Sequence, residues 1–255
     1  MMQLNYRVRI PTSISQGNPI VMIHGLFGDL SNLNIIAENL AQLYYVVQID
    51  MRNHGRSPHE WSMSYSVMVE DVIKLLDKLS IRKCIVIGFS MGGKVAMQLS
   101  LLAPCRVSRI IIIDIAPIKY DNHMHDDIFH AIECVNISGV ISRIDAQHIM
   151  QKELYDLHMV LFLLKYFCQG FWRFNFLSIR DNYHYISDWD IHQLWRGPAL
   201  FIKGALSTYI KDCDIKYIYR QFPKAQICTV PNAKHWVHRD NPSYLLDKIN
   251  KFIIS

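Results

Sequence analysis

The stretch that decides the fold is Lys83-Cys84-Ile85-Val86-Ile87-Gly88-Phe89-Ser90-Met91-Gly92. Residues 83–87 have the short, mostly apolar pattern of a buried strand, and a helical pattern runs from Met91 to Leu102. The last five residues match G-x-S-x-G, in which a sharp turn from strand to helix exposes a serine at the strand end. Side chains beside that serine would collide within the turn, which accounts for the glycines. We therefore predict that Ser90 is a nucleophile at the carboxyl edge of a sheet.

Short apolar runs alternate with helical patterns along most of the chain. This alternation is typical of βαβ units and predicts an α/β fold with a mostly parallel sheet. An antiparallel edge strand is predicted at Leu4 to Ile10. The remaining predicted strands are Pro19 to His24, Tyr44 to Asp50, Lys83 to Gly88, Ile110 to Asp114, Ala199 to Lys203 and Gln226 to Val230. Amphipathic helices are predicted at Tyr65 to Leu79, Met91 to Leu102 and Tyr244 to Ile254.

The alternation stops between residues 118 and 197, where helical stretches follow one another without a convincing strand. We interpret residues 118–197 as a helical cap inserted into a core domain of residues 1–117 and 198–255. Aromatic residues crowd its second half. Most of these rings should form the core of the cap, although some, such as Trp172, could line a substrate pocket.

A serine hydroxyl needs a general base, and His235 is the best placed of the 12 histidines. It follows the last predicted strand, so it should lie at the same sheet edge as Ser90. His238 is the nearest competitor, but it comes close to the final helix.

An oxyanion is usually held by two backbone N–H groups, one from the residue after the nucleophile and one from the loop after an early strand. Met91 is the first of these residues. The sequence His24-Gly25-Leu26-Phe27-Gly28 supplies the second, and we assign it to Leu26. The imidazole of His24 should hold this loop by hydrogen bonds rather than take part in the chemistry.

With these motifs in place, the chain resembles the α/β-hydrolase fold superfamily, and within it the small bacterial esterases and acyl-CoA thioesterases. The resemblance rests on His24 to Gly28, Asp50 to Ser57, Gly88 to Lys94, Asp114 to Pro117 and Gly170 to Asn175. It implies an eight-stranded sheet, a helical cap and no metal or organic cofactor. We expect Phe27 in the first loop, Trp236 beside His235, and Trp172 to bind substrate.

The sequence leaves several candidates for the third catalytic residue. Members of the superfamily usually carry an aspartate soon after the strand here assigned to Ala199 to Lys203, where this chain has Gly204-Ala205-Leu206-Ser207-Thr208. Asp114, at the end of the preceding core strand, is an alternative position within the superfamily, and the resemblance makes it our choice. A carboxylate there could orient the imidazole. The competing candidates are Asp212, Asp214, Asp181 and Asp188.

Composition sets broad limits. The 255 residues are 51% hydrophobic and 19% charged, as expected for a folded globular chain. The net charge of +5 is dispersed, which does not favour nucleic-acid binding, and no apolar run approaches the roughly 18 residues of a membrane span. The N-terminus lacks the apolar segment of a secretory signal. We expect a cytoplasmic monomer or homodimer.

Three further patterns resemble binding sites only in part. The six cysteines lack C-x-x-C spacing and are predicted to be reduced, mostly buried thiols. The segment His123-Met124-His125-Asp126-Asp127 lacks the further histidine of a metallo-hydrolase motif, so we predict a solvated part of the cap. The glycines from Gly88 to Gly93 fit no phosphate-binding pattern, and Lys94 should be a surface or cap-anchoring residue.

These observations predict a serine hydrolase that cleaves a small-molecule ester or thioester, such as an acyl-CoA, through an acyl-enzyme on Ser90. A carbon–carbon bond hydrolase or a cofactor-free haloperoxidase could use the same three residues. A haloalkane dehalogenase or epoxide hydrolase is disfavoured, because those enzymes resemble this fold but carry aspartate in place of Ser90. A non-catalytic ligand receptor is the alternative from a different class.

Overall fold

A seven-stranded sheet runs through the part of the chain that the computed structural model describes, residues 2–12, 14–15, 17–190 and 193–254. Across the sheet the strands are β1 (Tyr6–Arg9), β3 (Val46–Ile49), β2 (Ile20–Ile23), β4 (Cys84–Phe89), β5 (Val107–Ile113), β8 (Ala199–Gly204) and β9 (Ala225–Val230). Strand β1 pairs with β3 antiparallel, and the other neighbours are parallel. The predicted α/β class and mostly parallel sheet are therefore confirmed.

The expected count of eight strands is corrected to seven. A single strand, β1, precedes β2 within the described residues, and it pairs directly with β3. The sequence between β1 and β2 contains Pro11, Gly17 and Pro19. Proline removes a ladder donor and glycine weakens a strand interior, so this connection is poorly suited to an additional strand.

Helices cover both faces of the sheet. The core helices are α1 (Asn34–Leu40), α2 (Tyr65–Lys78), α3 (Met91–Leu102), α9 (Ile215–Gln221), α10 (Val237–Asp240) and α11 (Pro242–Ile254), with single 3-10 turns at Leu30–Leu33, Pro104–Arg106 and Asp212–Asp214. Because successive strand residues point to opposite faces, Ile110 and Ile112 join the core under α2 and α3, whereas Ile111 and Ile113 join the core under α1 and α11. This burial on both sides explains the continuous apolar character of the strands.

Between β5 and β8 the chain forms helices α4 (Asp126–Ser138), α5 (Arg143–Glu153), α6 (Leu157–Leu164), α7 (Phe176–Asp181) and α8 (Tyr183–Ser187). It also forms a small hairpin, β6 (Phe167–Cys168) with β7 (Phe171–Trp172), which the helical interpretation missed because each strand has only two residues. The cap boundaries at residues 118 and 197 stay a prediction, and residues 191 and 192 of that range lie outside the described residues.

Polar contacts fasten the inserted helices to the core. The Tyr65 hydroxyl donates to the backbone oxygen of Ile186 at 2.6 Å, and the Asn53 side-chain amide donates to the Ser178 hydroxyl at 3.0 Å. The side chains of Tyr65, Asn53 and Ser178 are buried. Buried polar groups are costly unless paired, so the contacts fix where the inserted segment sits.

The prediction of mostly buried thiols is wrong. Among the six free cysteines only Cys84 is buried, while Cys105, Cys168 and Cys213 are exposed and the other two are intermediate. Cysteine is a small residue that tolerates the surface, and its type alone does not fix its position. Within the described part of the chain, no helix has both the length and the apolar character needed to cross a bilayer.

Candidate active site

Ser90 occupies a strained turn between β4 and α3. Its backbone has φ 51° and ψ −118°, a conformation that side-chain-bearing residues seldom adopt, and its N–H donates to Ile113 O at 3.0 Å. The flanking glycines are required by space: a Cβ on Gly88 would lie 2.1 Å from Gly92 O, and one on Gly92 would lie 2.3 Å from Ile23 O. The predicted turn is therefore present and presents the serine at the carboxyl edge of the sheet.

His235 links Ser90 to Asp114. Its Nε2 lies 3.2 Å from Ser90 Oγ, and its Nδ1 lies 2.8 Å from Asp114 Oδ2. The Asp114 carboxylate is fully buried, and it also accepts from the backbone N–H of Gly204 at 2.9 Å and from the Ser207 hydroxyl. This arrangement can orient the imidazole with Nδ1 donating to the carboxylate and Nε2 free to accept the serine proton.

The other acidic candidates are bonded elsewhere. Asp212 accepts from Lys203 at 2.8 Å, Asp214 from the Lys211 N–H at 2.9 Å and Asp181 from Arg180 at 3.0 Å, while Asp188 lies 3.7 Å from Lys119. The hydrogen bond from Lys203 lowers the pKa of Asp212. Of the acidic residues considered from the sequence, Asp114 is the one that the structure brings to His235.

The imidazole of His235 packs against two aromatic rings. Tyr209 stacks on it with ring centroids 3.7 Å apart and planes at 12°, and the ring centroid of Phe89 lies 4.8 Å from that of the imidazole. His238, the competing base, instead packs its buried ring on the edge of Phe89 at 4.7 Å. Burial lowers the pKa of His238 to about 3, so it stays neutral.

The loop predicted to hold an oxyanion is anchored by two buried histidines. His24 Nδ1 lies 2.7 Å from Gly25 O, and its Nε2 accepts from the Met51 N–H at 3.0 Å. His54 Nε2 accepts from the Phe27 N–H at 3.1 Å. Burial lowers the pKa of both imidazoles, that of His54 to about 3, which suits a ring that donates at one nitrogen and accepts at the other.

These anchors leave the predicted oxyanion donors available. The N–H of Leu26 has no acceptor within the described residues, whereas its neighbours Phe27 and Gly28 donate to His54 and to Gly25 O. Met91 is the first residue of α3, where backbone N–H groups lack a partner inside the helix. The positive end of the α3 dipole adds to the attraction for a negative oxygen beside Ser90.

A small cavity of about 30 Å³ opens beside Ser90. Its walls combine apolar and polar side chains from both the core and the inserted segment; the lining residues are Leu26, Tyr65, Ser90, Met91, Lys94, Ile115, Tyr120, Met124, His125, Tyr183, Ile186, Ser187 and Tyr209. The cavity thus lies between the core and the inserted segment, with the serine on its core side.

Lys94 forms part of the cavity wall one helical turn after Ser90. It is buried, its Nζ donates to the backbone oxygens of Ser187 at 2.9 Å and Asp188 at 3.0 Å, and burial lowers its pKa to about 7. The ammonium also lies 4.8 Å from the ring centre of Tyr120. Of the two roles considered from the sequence, Lys94 therefore has the cap-anchoring one.

The three predicted substrate-binding residues lie away from this cavity. Phe27 is buried against Phe174 at 5.0 Å, and Trp172 stacks on the same phenylalanine at 5.2 Å. Trp236 packs on Phe162 at 5.4 Å. Phe27 and Trp236 thus pack between the core and the inserted segment, and Trp172 packs within that segment. The walls of the cavity are formed by other residues.

Sequence reasoning missed Tyr209 and misjudged His125. Tyr209 comes two residues after Ser207 in the loop after β8. Its position after a strand end is the feature of the sequence that could have placed it near the site. The sequence pattern places His125 in a solvated segment, but its Nε2 lies 3.2 Å from the Tyr209 hydroxyl and its Nδ1 bonds the Tyr183 hydroxyl. Burial lowers the pKa of His125 to about 4. Its neighbour His123 is exposed and pairs with Asp126 at 2.7 Å.

Comparison with known proteins places this architecture in a family. Residues 18–132 match the family model described as alpha/beta hydrolase fold. The chain is 40% identical to Esterase YbfF of Escherichia coli (strain K12), with 99% of each chain covered. It is 36% identical to "sn-1-specific diacylglycerol lipase ABHD11" of Danio rerio over 92% of this chain and 78% of the relative. A solved structure titled "Marine microorganism esterase" superposes with a TM-score of 0.92 at 34% identity, covering 99% of this chain and 100% of the other. The chain belongs to the α/β-hydrolase fold family.

Proposed function

We propose that this protein is a serine hydrolase that cleaves carboxylic esters of small molecules through an acyl-enzyme on Ser90. The observation that supports this most directly is the continuous pair of hydrogen bonds from Asp114 through His235 to Ser90, at 2.8 and 3.2 Å. A serine alone is a weak nucleophile, and this pair of contacts supplies both the base and the group that orients it.

In the first half-reaction, Ser90 Oγ attacks the ester carbonyl carbon while His235 Nε2 accepts the hydroxyl proton. The carbonyl oxygen becomes an oxyanion that the N–H groups of Leu26 and Met91 stabilise. Collapse of this intermediate breaks the bond to the alcohol oxygen, and the imidazolium returns its proton to the leaving alcohol. Asp114 remains ionised throughout and stabilises the imidazolium.

In the second half-reaction, a water molecule gives a proton to His235 and attacks the acyl-serine. The same N–H groups hold the second oxyanion. Cleavage of the bond to Ser90 Oγ then releases the carboxylic acid, and the proton on His235 returns to the serine. The base and the oxyanion donors are thus used twice, which explains why one small site suffices for both steps.

The relatives support the ester as the bond cleaved. Esterase YbfF and the "sn-1-specific diacylglycerol lipase ABHD11" both carry names of enzymes that act on esters, and both align along most of this chain. We extend the proposal to thioesters, including acyl-CoA, because the same attack on a carbonyl carbon applies to them and the net charge of +5 is compatible with an anionic substrate.

The test is hydrolysis of p-nitrophenyl acetate by the purified wild type and by Ser90→Ala. We expect the wild type to release p-nitrophenol and the variant to lose at least about 10³-fold in kcat. Ser207→Ala is an informative second variant, since it removes a partner of Asp114 without touching the nucleophile. Full activity in Ser90→Ala would overturn the proposal. A parallel series of acyl-CoA thioesters tests the extension separately.

The proposal also includes expectations about the cellular location and the oligomeric state of the enzyme. We expect the enzyme to act in the cytoplasm on freely diffusing small molecules, as a monomer or a homodimer. Light scattering on the purified chain measures the oligomeric state, and fractionation of cells that express the natural protein measures the location.

A further inference from the structure

We propose that the inserted helices carry a metal site for zinc or a similar transition-metal ion, formed by His130, Cys134 and Glu153. The ligand atoms of these three residues all lie within 4.8 Å of one another. The site has no part in the hydrolysis mechanism above, and none of its three residues lines the cavity beside Ser90. The proposed metal site can therefore be tested independently of the proposed function.

Two of the three spacings between the ligand atoms match those around a tetrahedral ion. His130 Nε2 lies 3.6 Å from Cys134 Sγ and 3.4 Å from Glu153 Oε2. With bonds of about 2.0 to 2.3 Å to nitrogen, oxygen and sulfur, the ligand atoms of tetrahedral zinc lie about 3.3 to 3.8 Å apart. Both distances fall within that interval. The third spacing, between Cys134 and Glu153, is at most 4.8 Å, and rotation of the glutamate side chain can shorten it.

The scaffold holds these side chains in place. His130 and Cys134 are four residues apart on α4, so they lie on the same face of the helix one turn apart. Glu153 is the last residue of α5. Buried residues of both helices, Ile132 and Val135 on α4 with Met150 on α5, belong to one hydrophobic core. The backbone positions of the three ligands are therefore fixed by packing before any ion binds.

The chemistry of the ligands selects the ion. Thiolate and imidazole ligands favour zinc and its neighbours, whereas magnesium and calcium favour sites made of oxygen atoms. Three protein ligands leave the fourth tetrahedral position for water, and the side chain of His130 is 62% exposed, which gives water and the ion access. A simple ion pair between His130 and Glu153 would not require a thiol 3.6 Å from the same nitrogen.

The site would join α4 to α5, which are neighbours in the inserted segment. Helix α4 starts directly after His125, a residue of the cavity wall. An ion that ties α4 to α5 would therefore stabilise the part of the inserted segment that borders the candidate active site. Because the ligands sit on the surface, the rest of the fold does not depend on them.

Cobalt(II) is the direct probe, because a thiolate ligand gives it a charge-transfer absorption in the near ultraviolet. The full chain is titrated with Co²⁺ in reducing, chelator-free buffer. We expect the band to saturate at one ion per chain, to disappear in Cys134→Ser and to be displaced by Zn²⁺. Affinity should weaken by roughly tenfold or more in His130→Ala and in Glu153→Gln.

The exposed thiols elsewhere provide matched controls. Cys105→Ser and Cys168→Ser should keep the full band, since neither residue belongs to the cluster. Zn²⁺ should raise the thermal unfolding midpoint of the wild type and leave that of Cys134→Ser unchanged. Absence of the band in the wild type, or a band of undiminished strength in Cys134→Ser, would overturn the proposal. Ester hydrolysis by Cys134→Ser should equal that of the wild type, which separates this test from that of Ser90.

Discussion

The ring of Tyr209 lies flat against the imidazole of His235, with centroids 3.7 Å apart and planes at 12°. The backbone of Tyr209 is fixed on both sides: its oxygen accepts from the Tyr120 hydroxyl at 2.6 Å, and its N–H donates to Ser207 Oγ at 3.2 Å. The face of an aromatic ring attracts a cation. The stack therefore fixes the plane of the imidazole and favours the imidazolium that forms when Ser90 loses its proton.

Two substitutions of Tyr209 distinguish the contribution of its ring from that of its hydroxyl. We expect Tyr209→Leu to lower kcat for p-nitrophenyl acetate by roughly tenfold, or about 1.4 kcal/mol, while KM changes little. A cation over an aromatic ring is worth about 0.5 to 2 kcal/mol, depending on its exposure. Tyr209→Phe keeps the stack and should stay within about threefold of the wild type. Equal losses in both variants would assign the effect to the hydroxyl and its contact with His125.

The carboxylate that orients His235 can be identified by amide substitution. Asp114→Asn should lower kcat by about 10³-fold or more, because the amide favours the wrong imidazole tautomer. Asp212→Asn is the matched control: its side chain is 93% exposed and bonds Lys203, so activity should be unchanged. Steady-state kinetics on both variants decide the matter, and a loss confined to Asp212→Asn would refute the assignment to Asp114.

Close packing at the turn around Ser90 predicts a severe glycine effect. In Gly92→Ala the new Cβ would lie 2.3 Å from Ile23 O and 2.5 Å from His24 O, and neither backbone oxygen can move aside easily. We expect a loss of about 3 kcal/mol or more in the free energy of unfolding, together with loss of activity.

Gly139→Ala is the comparison for that experiment. Gly139 has φ +67°, and no atom lies within 4 Å of the position that an alanine Cβ would take there, so only backbone strain of about 1 kcal/mol is expected. Urea unfolding of both variants measures the difference. Similar losses would mean that steric crowding does not dominate at Gly92.

Stability should fall in acid partly because of His238. Burial lowers its pKa from 6.5 in the unfolded chain to about 3 in the folded protein. Between these two values the unfolded chain binds a proton that the folded protein does not, so the free energy of unfolding decreases as the pH falls. The contribution of this residue amounts to about 2 kcal/mol between pH 7 and pH 5.

His238→Gln removes that contribution without adding a charge. Urea unfolding of the variant at both pH values should show an acid-induced loss smaller than that of the wild type by about 2 kcal/mol. The remaining loss reflects other buried histidines such as His54. An unchanged difference between the two pH values would contradict the role assigned to His238.

Much of the fold was predictable because its signals are local. The strand runs and the turn at Ser90 depend on residues close in sequence, and burial of both sheet faces makes runs such as Ile110 to Ile113 continuous. The positions of Ser90 and His235 were predictable for a related reason: parallel strands end at one edge, so residues after separate strands come together there. Asp114 was one of several acidic candidates, and the resemblance to the superfamily favoured it.

The cavity walls were not predictable, because they depend on how the inserted helices dock. His125 and Lys94 reach the cavity through contacts with Tyr209 and with the backbone of Ser187, which are distant in sequence. Trp172 was expected to bind substrate because it is an aromatic residue of the inserted segment, but its ring packs on Phe174. The H-x-x-x-C spacing of His130 and Cys134 is visible in the sequence. The proximity of Glu153 to these residues is not, because it depends on the packing of α4 against α5.

Covalent labelling tests the central claim most directly. The purified wild type is treated with a fluorophosphonate, and the modified peptide is identified by mass spectrometry. The proposed mechanism predicts one label per chain, on Ser90, with loss of ester hydrolysis in proportion to labelling and much slower labelling of His235→Ala. Hydrolysis that persists in fully labelled protein, or a label on a serine other than Ser90, would contradict it.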